Sequence, residues 1–333
     1  MSAIPHDEVM SRLSHKLNEL HGKIPIGSRV IYLDIPVYLN VGDLLINRGT
    51  EEFFGRSDIS VLARLSVFDL CEIDLGTHTA ILKPNAVRLI RSLDPTAVIV
   101  FQGGGNFGDL YPDLQLLREA VIKEFTERRI VILPQSIHFE SPRAQAQAFE
   151  LMFSHPDIHF FVRDRPSLEL LESFSRGRSA LMPDMAHALW GTFDARSATT
   201  PTKATLYMLR RDGERLQDQE TRPQSIDWDD VITPIEKLGW RMVRKTLHTG
   251  VGSFQPIAMS GWYRLRDRLI DKAADRFSTH ERVETDRLHG MILSTLVSRP
   301  VIYHDNSYGK LGRYAGEWLS DSPAVLSSRT RLG

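Results

Sequence analysis

The sequence predicts an α/β fold built from two doubly wound halves that face each other across a cleft. Short runs that are apolar throughout alternate with helical patterns, which is typical of parallel strands covered on both faces. The alternation breaks at the small, polar, proline-containing stretch 195–203 and then resumes. We therefore expect a first domain over 1–195, a second over 203–310, and a C-terminal segment over 311–333 that packs back on the first domain.

The elements follow one another in a regular order. In the first half we predict strands over 29–35, 97–101, 130–133 and 159–162, and helices over 42–54, 113–128, 144–153 and 166–174. In the second half we predict strands over 205–209, 282–285 and 301–303, and helices over 260–276 and 288–296. Residues 212–232 carry many charged and amide side chains, which indicates either a solvated insertion or a lid.

Composition excludes several classes of function. The chain has 333 residues, with 41 basic and 42 acidic side chains, so it has no bulk attraction to nucleic acid or to an anionic membrane. Residues 1–20 are polar, and no apolar run approaches the roughly 20 residues that cross a bilayer. We expect a cytoplasmic protein, with peripheral contact at the inner face of the cytoplasmic membrane and the oligomeric state left open. The single cysteine, Cys71, is expected to be buried, and no Cys/His spacing indicates a metal site.

Polar side chains follow each predicted strand of the first half, where ligands of parallel sheets bind. Asp43 follows the first strand and is either a helix N-cap or a sugar ligand and general base. The glycines 103–105 follow the second strand and form either a tight turn or a binding loop. His138 could equally be structural, and Ser167 could cap a helix. The candidate ligands of sugar hydroxyls are Asn40, Asp43, Gln102, Asn106, Asp109, Gln135, Ser136 and His138.

Arginine residues follow two predicted strands of the second half. Arg210 and Arg211 directly follow the strand over 205–209, and Arg287 precedes the helix that begins at Leu288. Guanidinium groups bind carboxylates and phosphates in a planar, bidentate manner, so a pocket for a small dianion or trianion is one interpretation and surface ion pairs are the other. His289, in the positive field of the helix start, is a candidate proton donor. Lys310 either completes the anion site or is solvated.

Together these motifs resemble the polysaccharide pyruvyl transferase family over most of the chain, from about Tyr32 to Trp318. The stretches that carry the resemblance are YLNVGDLLINRGTEEFF, VIVFQGGGNFGDLYP, ILPQSIHF, FFVRDRPSLELL, MPDMAHAL, LYMLRRD and TDRLHGMILSTLVSRPVIYHDNSYGKL. The resemblance implies a glycosyltransferase-B-like architecture of two Rossmann-like domains. It also implies phosphoenolpyruvate as co-substrate, no cofactor, and a pyruvate ketal formed on a polysaccharide or its lipid-linked precursor.

The resemblance also implies roles for particular residues. Donor contacts are expected from Arg210 or Arg211 and from the Arg287-Leu288-His289 element. We expect Arg210 and Arg287 to clamp the anion, His289 to act as general acid and Asp43 as base. Two other functions stay open. A glycosyltransferase that uses a nucleotide sugar would need an acidic residue for the ribose, such as Glu236 or Glu284. A non-catalytic sugar-binding module would not need arginine and histidine together at a helix start.

Overall fold

The computed structural model describes residues 4–211, 222, 224–249, 255–305 and 309–328, in which strands and helices alternate. The strands are β1 Arg29–Leu33, β2 Ser60–Leu65, β3 Cys71–Asp74, β4 Thr79–Leu82, β5 Val98–Phe101, β6 Gly104–Gly108, β7 Ile130–His138, β8 Ile158–Val162, β9 Ser179–Leu181, β10 Lys203–Met208, β11 His280–Thr285, β12 Val301–Tyr303 and β13 Val325–Ser327. The α-helices are α1 His6–Lys16, α2 Val41–Arg56, α3 Val67–Leu70, α4 Pro84–Ser92, α5 Pro112–Glu124, α6 Pro142–Ser154, α7 Arg165–Ser175, α8 Asp194–Ser197, α9 Trp228–Val231, α10 Pro234–Thr249, α11 Gln255–Ser278, α12 Leu288–Leu296 and α13 Lys310–Trp318. The 3-10 helices of the described residues span Leu17–Gly22 and Met185–Leu189.

A large parallel sheet organises the first half of the chain. Its strands, counted over the described residues, run in the order β2-β1-β5-β7-β8-β9, and β6 pairs with β7. The chain forms β2 on one side of β1 and later returns to form β5 on the other side. This is the 2-1-3-4-5 order of flavodoxin-type sheets and not the 3-2-1-4-5-6 order of the classic Rossmann sheet. The strand order therefore reverses between β1 and β5, which is where such sheets bind ligands.

A smaller parallel sheet organises the second half. Its strands lie in the sequential order β10-β11-β12-β13 within the described part of the chain. A separate antiparallel hairpin, β3-β4, lies outside both sheets. Each strand of the small sheet ends at the same edge, so the loops after β10, β11 and β12 are neighbours. The arginines predicted to bind an anion lie in the first two of these loops.

Two apolar cores cover the faces of the large sheet. One core packs the side chains of α4 to α7 against one face. The other core includes Val100 of the large sheet, Val283 of the small sheet and Trp262 of α11. Because this second core contains residues of both sheets, the two halves of the chain are packed against each other through the helices between them. Packing of this kind holds the facing strand ends at a fixed separation.

Most predicted elements are present, and the differences have local causes. The glycine cluster, predicted as a loop, contains strand β6, whose backbone pairs with β7. At Gly108 a methyl group would lie 1.6 Å from the His138 carbonyl oxygen, so only glycine allows this pairing. The stretch over 195–203 includes the end of α8. Of the predicted insertion or lid over 212–232, residues 212–221 and 223 lie outside the described residues, and the remainder includes α9.

The C-terminal helix α13 contacts the first half of the chain. The Asp184 backbone N–H donates to the Tyr314 hydroxyl at 3.0 Å, and Trp318 Nε1 donates to the Arg163 carbonyl at 2.8 Å. Cys71 is buried, and this burial raises the pKa of its thiol to about 12. Over the described ranges, no helix is both long enough and apolar enough to cross a bilayer.

Candidate active site

A cavity of about 420 Å³ lies where the carboxyl ends of the two sheets meet. Its volume falls within the range of small-molecule sites, roughly 300–1,000 Å³. The loop after β1 and the start of α2 form one wall, and the loops after β10 and β11 form the opposite wall. Its charged and histidine side chains, among the residues that the structure describes, are Asp34, Asp43, Asp113, Arg163, Arg210, Arg287, His289 and Lys310.

Two cations meet at Gly105, which belongs to the glycine cluster of the first half. A methyl group at this glycine would lie 2.7 Å from an Arg163 guanidinium nitrogen and 2.8 Å from Lys310 Nζ. The glycine therefore lets two positive charges from different halves of the chain approach the same stretch of backbone. A small anion at this point would be bound by both cations, because guanidinium and ammonium groups are the usual partners of phosphate and carboxylate.

The second-half arginines at the cavity are held in place by aspartates. Arg287 donates from Nε and Nη2 to the two carboxylate oxygens of Asp227, at 3.0 and 2.5 Å. The backbone N–H of Arg210 donates to Asp286 at 2.8 Å. Burial raises the pKa of Asp286, while this hydrogen bond and nearby Arg287 and Arg210 act to lower it. These contacts fix the backbone or the guanidinium plane of each arginine at the cavity wall.

His289 and a buried aspartate from the first half form a polar pair beside the cavity. His289 Nε2 lies 3.3 Å from Asp184 Oδ2, which also accepts from Arg163 at 2.6 Å. Burial alone would raise the pKa of Asp184, but His289 and Arg163 more than offset it, and the pKa lies well below its usual range. Asp184 is therefore an ionised carboxylate that orients the imidazole through Nε2. Nδ1 then faces the start of α2, where a methyl group on Gly42 would lie 2.6 Å from it.

Asp43 occupies the first turn of α2 and lines the cavity. Asn40 is the N-cap of this helix, since its side chain accepts from the Gly42 N–H at 3.0 Å, so the interpretation of Asp43 as the cap is wrong. Burial raises the pKa of Asp43, against the lowering effects of His289, Arg163 and a hydrogen bond from Tyr38. A carboxylate with a raised pKa is a stronger base than an exposed one.

The end of the cavity near the first sheet is bordered by a buried ion pair. Arg118 donates to Asp34 at 2.5 Å and to the Asn106 side chain at 2.7 Å. Burial raises the pKa of Asp34 to about 6, although the Arg118 guanidinium acts to lower it. Phe68 and Tyr111 line the cavity nearby. Amide and carboxyl groups next to aromatic rings match the mixed polar and apolar surface of a sugar.

The structure brings eight of the predicted site residues to the cavity wall and places the others elsewhere. The eight are Asn40, Asp43, Asn106, Arg210, Arg287, Leu288, His289 and Lys310. Arg211 is not among the lining residues, and its guanidinium instead contacts Asp230 and the Ser225 carbonyl. Asp109 accepts from the backbone N–H groups of Glu140 and Ser141.

The remaining predicted sugar ligands also lie behind or beside the wall. Gln102 is buried, accepts from the Tyr32 hydroxyl and donates to the Asp43 carbonyl. Gln135 donates to the Gln102 carbonyl, and Ser136 donates to Asp164 while accepting from Arg163. His138 ends β7 and is not among the cavity-lining residues. The cap of α7 is Asp164 and not Ser167, whose N–H it accepts. These polar groups support the lining residues and do not face the cavity.

The sequence analysis did not single out four charged residues at the site, Asp34, Asp113, Arg163 and Asp184. Arg163 follows strand β8 and lies within the stretch FFVRDRPSLELL of the family resemblance, and Asp184 precedes the second 3-10 helix. The signal for Arg163 was its position after a strand that is apolar throughout, the same signal that identified Arg210. Asp184 had no such signal, because its partners Arg163 and His289 are distant in sequence. Over the described ranges, no three His, Cys, Asp or Glu side chains group as metal ligands.

The fold and the cavity define an α/β protein with a cavity at the carboxyl ends of its strands that is lined by three arginines, a lysine, a histidine and three aspartates, counted over the described residues. A sequence model of the family described as polysaccharide pyruvyl transferase matches residues 40–308, which include Asp43, Arg163, Asp184 and the Arg287-Leu288-His289 element. The chain belongs to the polysaccharide pyruvyl transferase family.

Individual relatives agree with this family. The chain is 35% identical over 321 residues to the Bacillus subtilis (strain 168) protein named "Putative pyruvyl transferase EpsO", covering 95% of this chain and 93% of that protein. It is 31% identical over 231 residues to "Pyruvyl transferase 1" of Schizosaccharomyces pombe, covering 66% of this chain and 54% of that protein. A solved structure of an uncharacterised protein from Klebsiella pneumoniae has the same fold, with a TM-score of 0.56 and 18% identity over 95% of this chain and 96% of that one.

Proposed function

We propose that the protein transfers the pyruvyl group of phosphoenolpyruvate to two hydroxyls of a sugar and so forms a pyruvate ketal. The observation that carries the proposal is the meeting of Arg163, Arg210, Arg287, His289 and Lys310 in one cavity of about 420 Å³. Phosphoenolpyruvate bears a phosphate and a carboxylate on three carbons, and several cations are needed to bind both groups. The acceptor is a polysaccharide or its lipid-linked precursor, in keeping with the family.

The donor binds at the second-half wall. Arg210 and Arg287 contact its anionic groups, and Arg163 and Lys310, which meet at Gly105, contact them from the other side. The start of α12 adds the partial positive charge of a helix N-terminus, since Leu288 is its first residue. In this proposal residues 203–310 form the donor side together with Arg163 of the first half, and the rest of residues 1–195 forms the acceptor side. This division corresponds to a glycosyltransferase-B-like arrangement of two domains around a central cleft.

The reaction proceeds through protonation of the donor double bond. His289, oriented by Asp184, gives a proton to the methylene carbon, and the carbon that bears the phosphate oxygen becomes positive. A sugar hydroxyl attacks this carbon while Asp43 accepts the hydroxyl proton. Phosphate then leaves with the electron pair of the C–O bond, and the second hydroxyl closes the ketal. Asp43 passes the first hydroxyl proton to the departing phosphate, and the proton of the second hydroxyl restores His289. Holding both reactants in attack geometry supplies much of the acceleration.

The acceptor occupies the end of the cavity near the first sheet. Asn40 and Asn106 offer amide groups to sugar hydroxyls, and Asp43 lies between this end and His289. The nucleotide-sugar alternative has less support, because neither acidic residue that it would use lines the cavity. Glu236 pairs with Lys272, and Glu284 pairs with Arg222. We propose that the reaction needs no cofactor and that the enzyme works in the cytoplasm or at the inner face of its membrane.

The test is phosphate release from phosphoenolpyruvate in the presence of sugar acceptors, including lipid-linked oligosaccharide fractions. We expect Arg287→Ala and His289→Ala each to lower turnover by about a hundredfold or more, the usual loss for a general acid or an oriented cation. Arg211→Ala is the matched control, since Arg211 follows Arg210 in sequence but contacts Asp230 outside the cavity. It should keep near-normal turnover.

Two results would contradict the proposal. One is a His289→Ala variant that folds normally and keeps its turnover. The other is a melting temperature that a nucleotide sugar raises and phosphoenolpyruvate does not, since a ligand stabilises the fold that binds it. Phosphoenolpyruvate binding without sugar-dependent phosphate release would instead support the non-catalytic module.

A further inference from the structure

Helix α10 has an apolar stripe that is exposed to solvent. Ile235, Leu238 and Met242 are exposed by 82, 58 and 64%. They stand at positions i, i+3 and i+7, which share one side of an α-helix. Contiguous exposed apolar side chains of this size mark interaction surfaces in soluble proteins.

Basic side chains border this stripe. Arg241 and Lys245 are one turn apart on the same helix and lie next to Leu238 and Met242. The acidic residue of the helix, Glu236, is buried and paired with Lys272, so it does not counter the basic border. Lys237, on the side of α10 away from the stripe, lies 3.9 Å from Asp229 of the preceding helix. A stripe of apolar residues with a border of lysine and arginine is the composition of helices that lie in the headgroup region of a bilayer.

The opposite side of α10 is fixed to the wall of the active-site cavity. Trp240 Nε1 donates to the Val37 carbonyl at 2.9 Å, and the Arg244 guanidinium lies 5.0 Å from the centre of the Phe68 ring. Val37 and Phe68 both line the cavity. Anything that binds the outer side of α10 is therefore one helix thickness, about 10 Å, from the cavity.

We propose that α10 docks the protein on an anionic phospholipid surface, with Ile235, Leu238 and Met242 inserted among the lipids and the basic residues on the headgroups. Charge complementarity favours this occupant over a second copy of the chain, because the same basic border on a second copy would repel it. The proposal is independent of the donor chemistry, since docking requires neither phosphoenolpyruvate nor a sugar.

Cosedimentation of the full chain with vesicles tests the proposal. We expect binding to vesicles that contain phosphatidylglycerol and much weaker binding to pure phosphatidylcholine, with a fall as salt rises. Arg241→Ala with Lys245→Ala should weaken binding about 25-fold, because one basic residue near an anionic bilayer contributes about fivefold. Leu238→Ser with Met242→Ser should weaken it at least tenfold at unchanged melting temperature.

Two matched controls distinguish docking from a general loss of charge or hydrophobicity. Ile26, exposed by 68%, precedes β1 at the amino edge of the large sheet, and Arg88 is an exposed residue of α4. Ile26→Ser and Arg88→Ala should bind vesicles as the unchanged protein does. No binding to anionic vesicles at low salt, or equal losses in the controls, would overturn the proposal. A dimer in solution that Leu238→Ser with Met242→Ser dissociates would assign the stripe to a second copy instead.

Discussion

At the scale of single residues, the site depends on how closely His289 approaches helix α2. The imidazole has its Nε2 on Asp184 and its Nδ1 against Gly42. A rotation of the ring would break the contact between Nε2 and Asp184. Any side chain at position 42 would occupy the space that Nδ1 now fills. The orientation of the proposed acid thus depends on a residue that carries no functional group itself.

Gly42→Ala should therefore reduce turnover about a hundredfold, the cost of displacing a reacting group by about 1 Å. The added methyl would lie 2.6 Å from Nδ1 and 3.0 Å from Cβ of His289, so the ring has to move. Gly55→Ala, on the same helix with nothing within 4 Å of its methyl, is the control and should keep its turnover. Phosphate release and the melting temperature of both variants check this. Equal turnover for the two variants would show that the ring has room to adjust.

Single-residue chemistry was partly predictable from the sequence. Arg287 and Lys310 follow strands, and the carboxyl ends of parallel strands share one edge, so their convergence follows from topology. Gln135 and Ser136 follow the predicted strand over 130–133, yet they hydrogen-bond behind the wall, because the observed strand β7 continues to His138 and contains them. The sequence does not reveal where a strand stops pairing, and that position decides which side chains face the cavity.

At the scale of elements, α2 packs unusually close to the 3-10 helix Met185–Leu189. At Gly49 a methyl group would lie 2.1 Å from the Met185 carbonyl oxygen and 2.9 Å from the Ala186 Cα. These are backbone atoms, so no side-chain rotation relieves the contact. The close approach brings Asp184, which caps this 3-10 helix, to the side of His289.

Gly49→Ala should lower the free energy of unfolding by about 1–3 kcal/mol, the usual cost of an added methyl in a tightly packed interface. Gly55→Ala should instead raise it by up to about 1 kcal/mol, because alanine favours the helix and meets no neighbour. Urea unfolding of both variants measures the difference. A Gly49→Ala variant as stable as the unchanged protein would mean that α2 and the 3-10 helix separate at little cost.

Element boundaries were predictable where apolar runs were long. Strands β5 and β8 match their predicted positions because every residue in them is buried. Strand β2 was missed because its burial pattern alternates without a clean apolar face. Helix α10 was missed because its apolar residues lie on two sides, one buried against the cavity wall and one exposed, which obscures a single helical stripe.

At the scale of the whole molecule, two buried groups oppose each other in the pH dependence of stability. The folded-state pKa of Asp34 is raised from 3.8 to about 6, so its contribution to stability is fully present below pH 3.8 and is lost as the pH rises to 6. Burial lowers the pKa of His187 from 6.5 to about 4, so its contribution is gained as the pH rises from 4 to 6.5. The two contributions largely cancel over this range.

The Asp34→Asn substitution should remove the pH-dependent contribution of Asp34 to stability and leave that of His187. The variant is then expected to gain stability relative to the unchanged protein between pH 4 and 6, by up to about 3 kcal/mol at 1.36 kcal/mol per pKa unit. Asparagine also tolerates the left-handed backbone of this position, where φ is 61°. Urea unfolding at pH 4, 5, 6 and 7 gives the difference curve. A difference that stays flat across this range would mean that Asp34 is already ionised at pH 4.

The α/β class was predictable from alternation alone, but the packing of one half on the other was not. It depends on contacts such as Trp262 Nε1 to the Pro36 carbonyl, between residues 226 positions apart, which leave no local pattern. Propensity and periodicity describe single elements, whereas the order of β1 and β5 and the shared core arise from pairings across the chain.

The hydrogen bonds from the Trp262 and Trp240 indoles limit which chimeric proteins would keep the shape of the cavity wall. Trp262 and Trp240 hold the carbonyls of Pro36 and Val37, so the cavity wall supplied by the first half is shaped by helices of the second. A chimera that joined the first half of this chain to the second half of a homologue would need indoles at the same two places. Without them, two carbonyl groups beside the cavity lose their partners, and substrate preference would not transfer with the exchanged half.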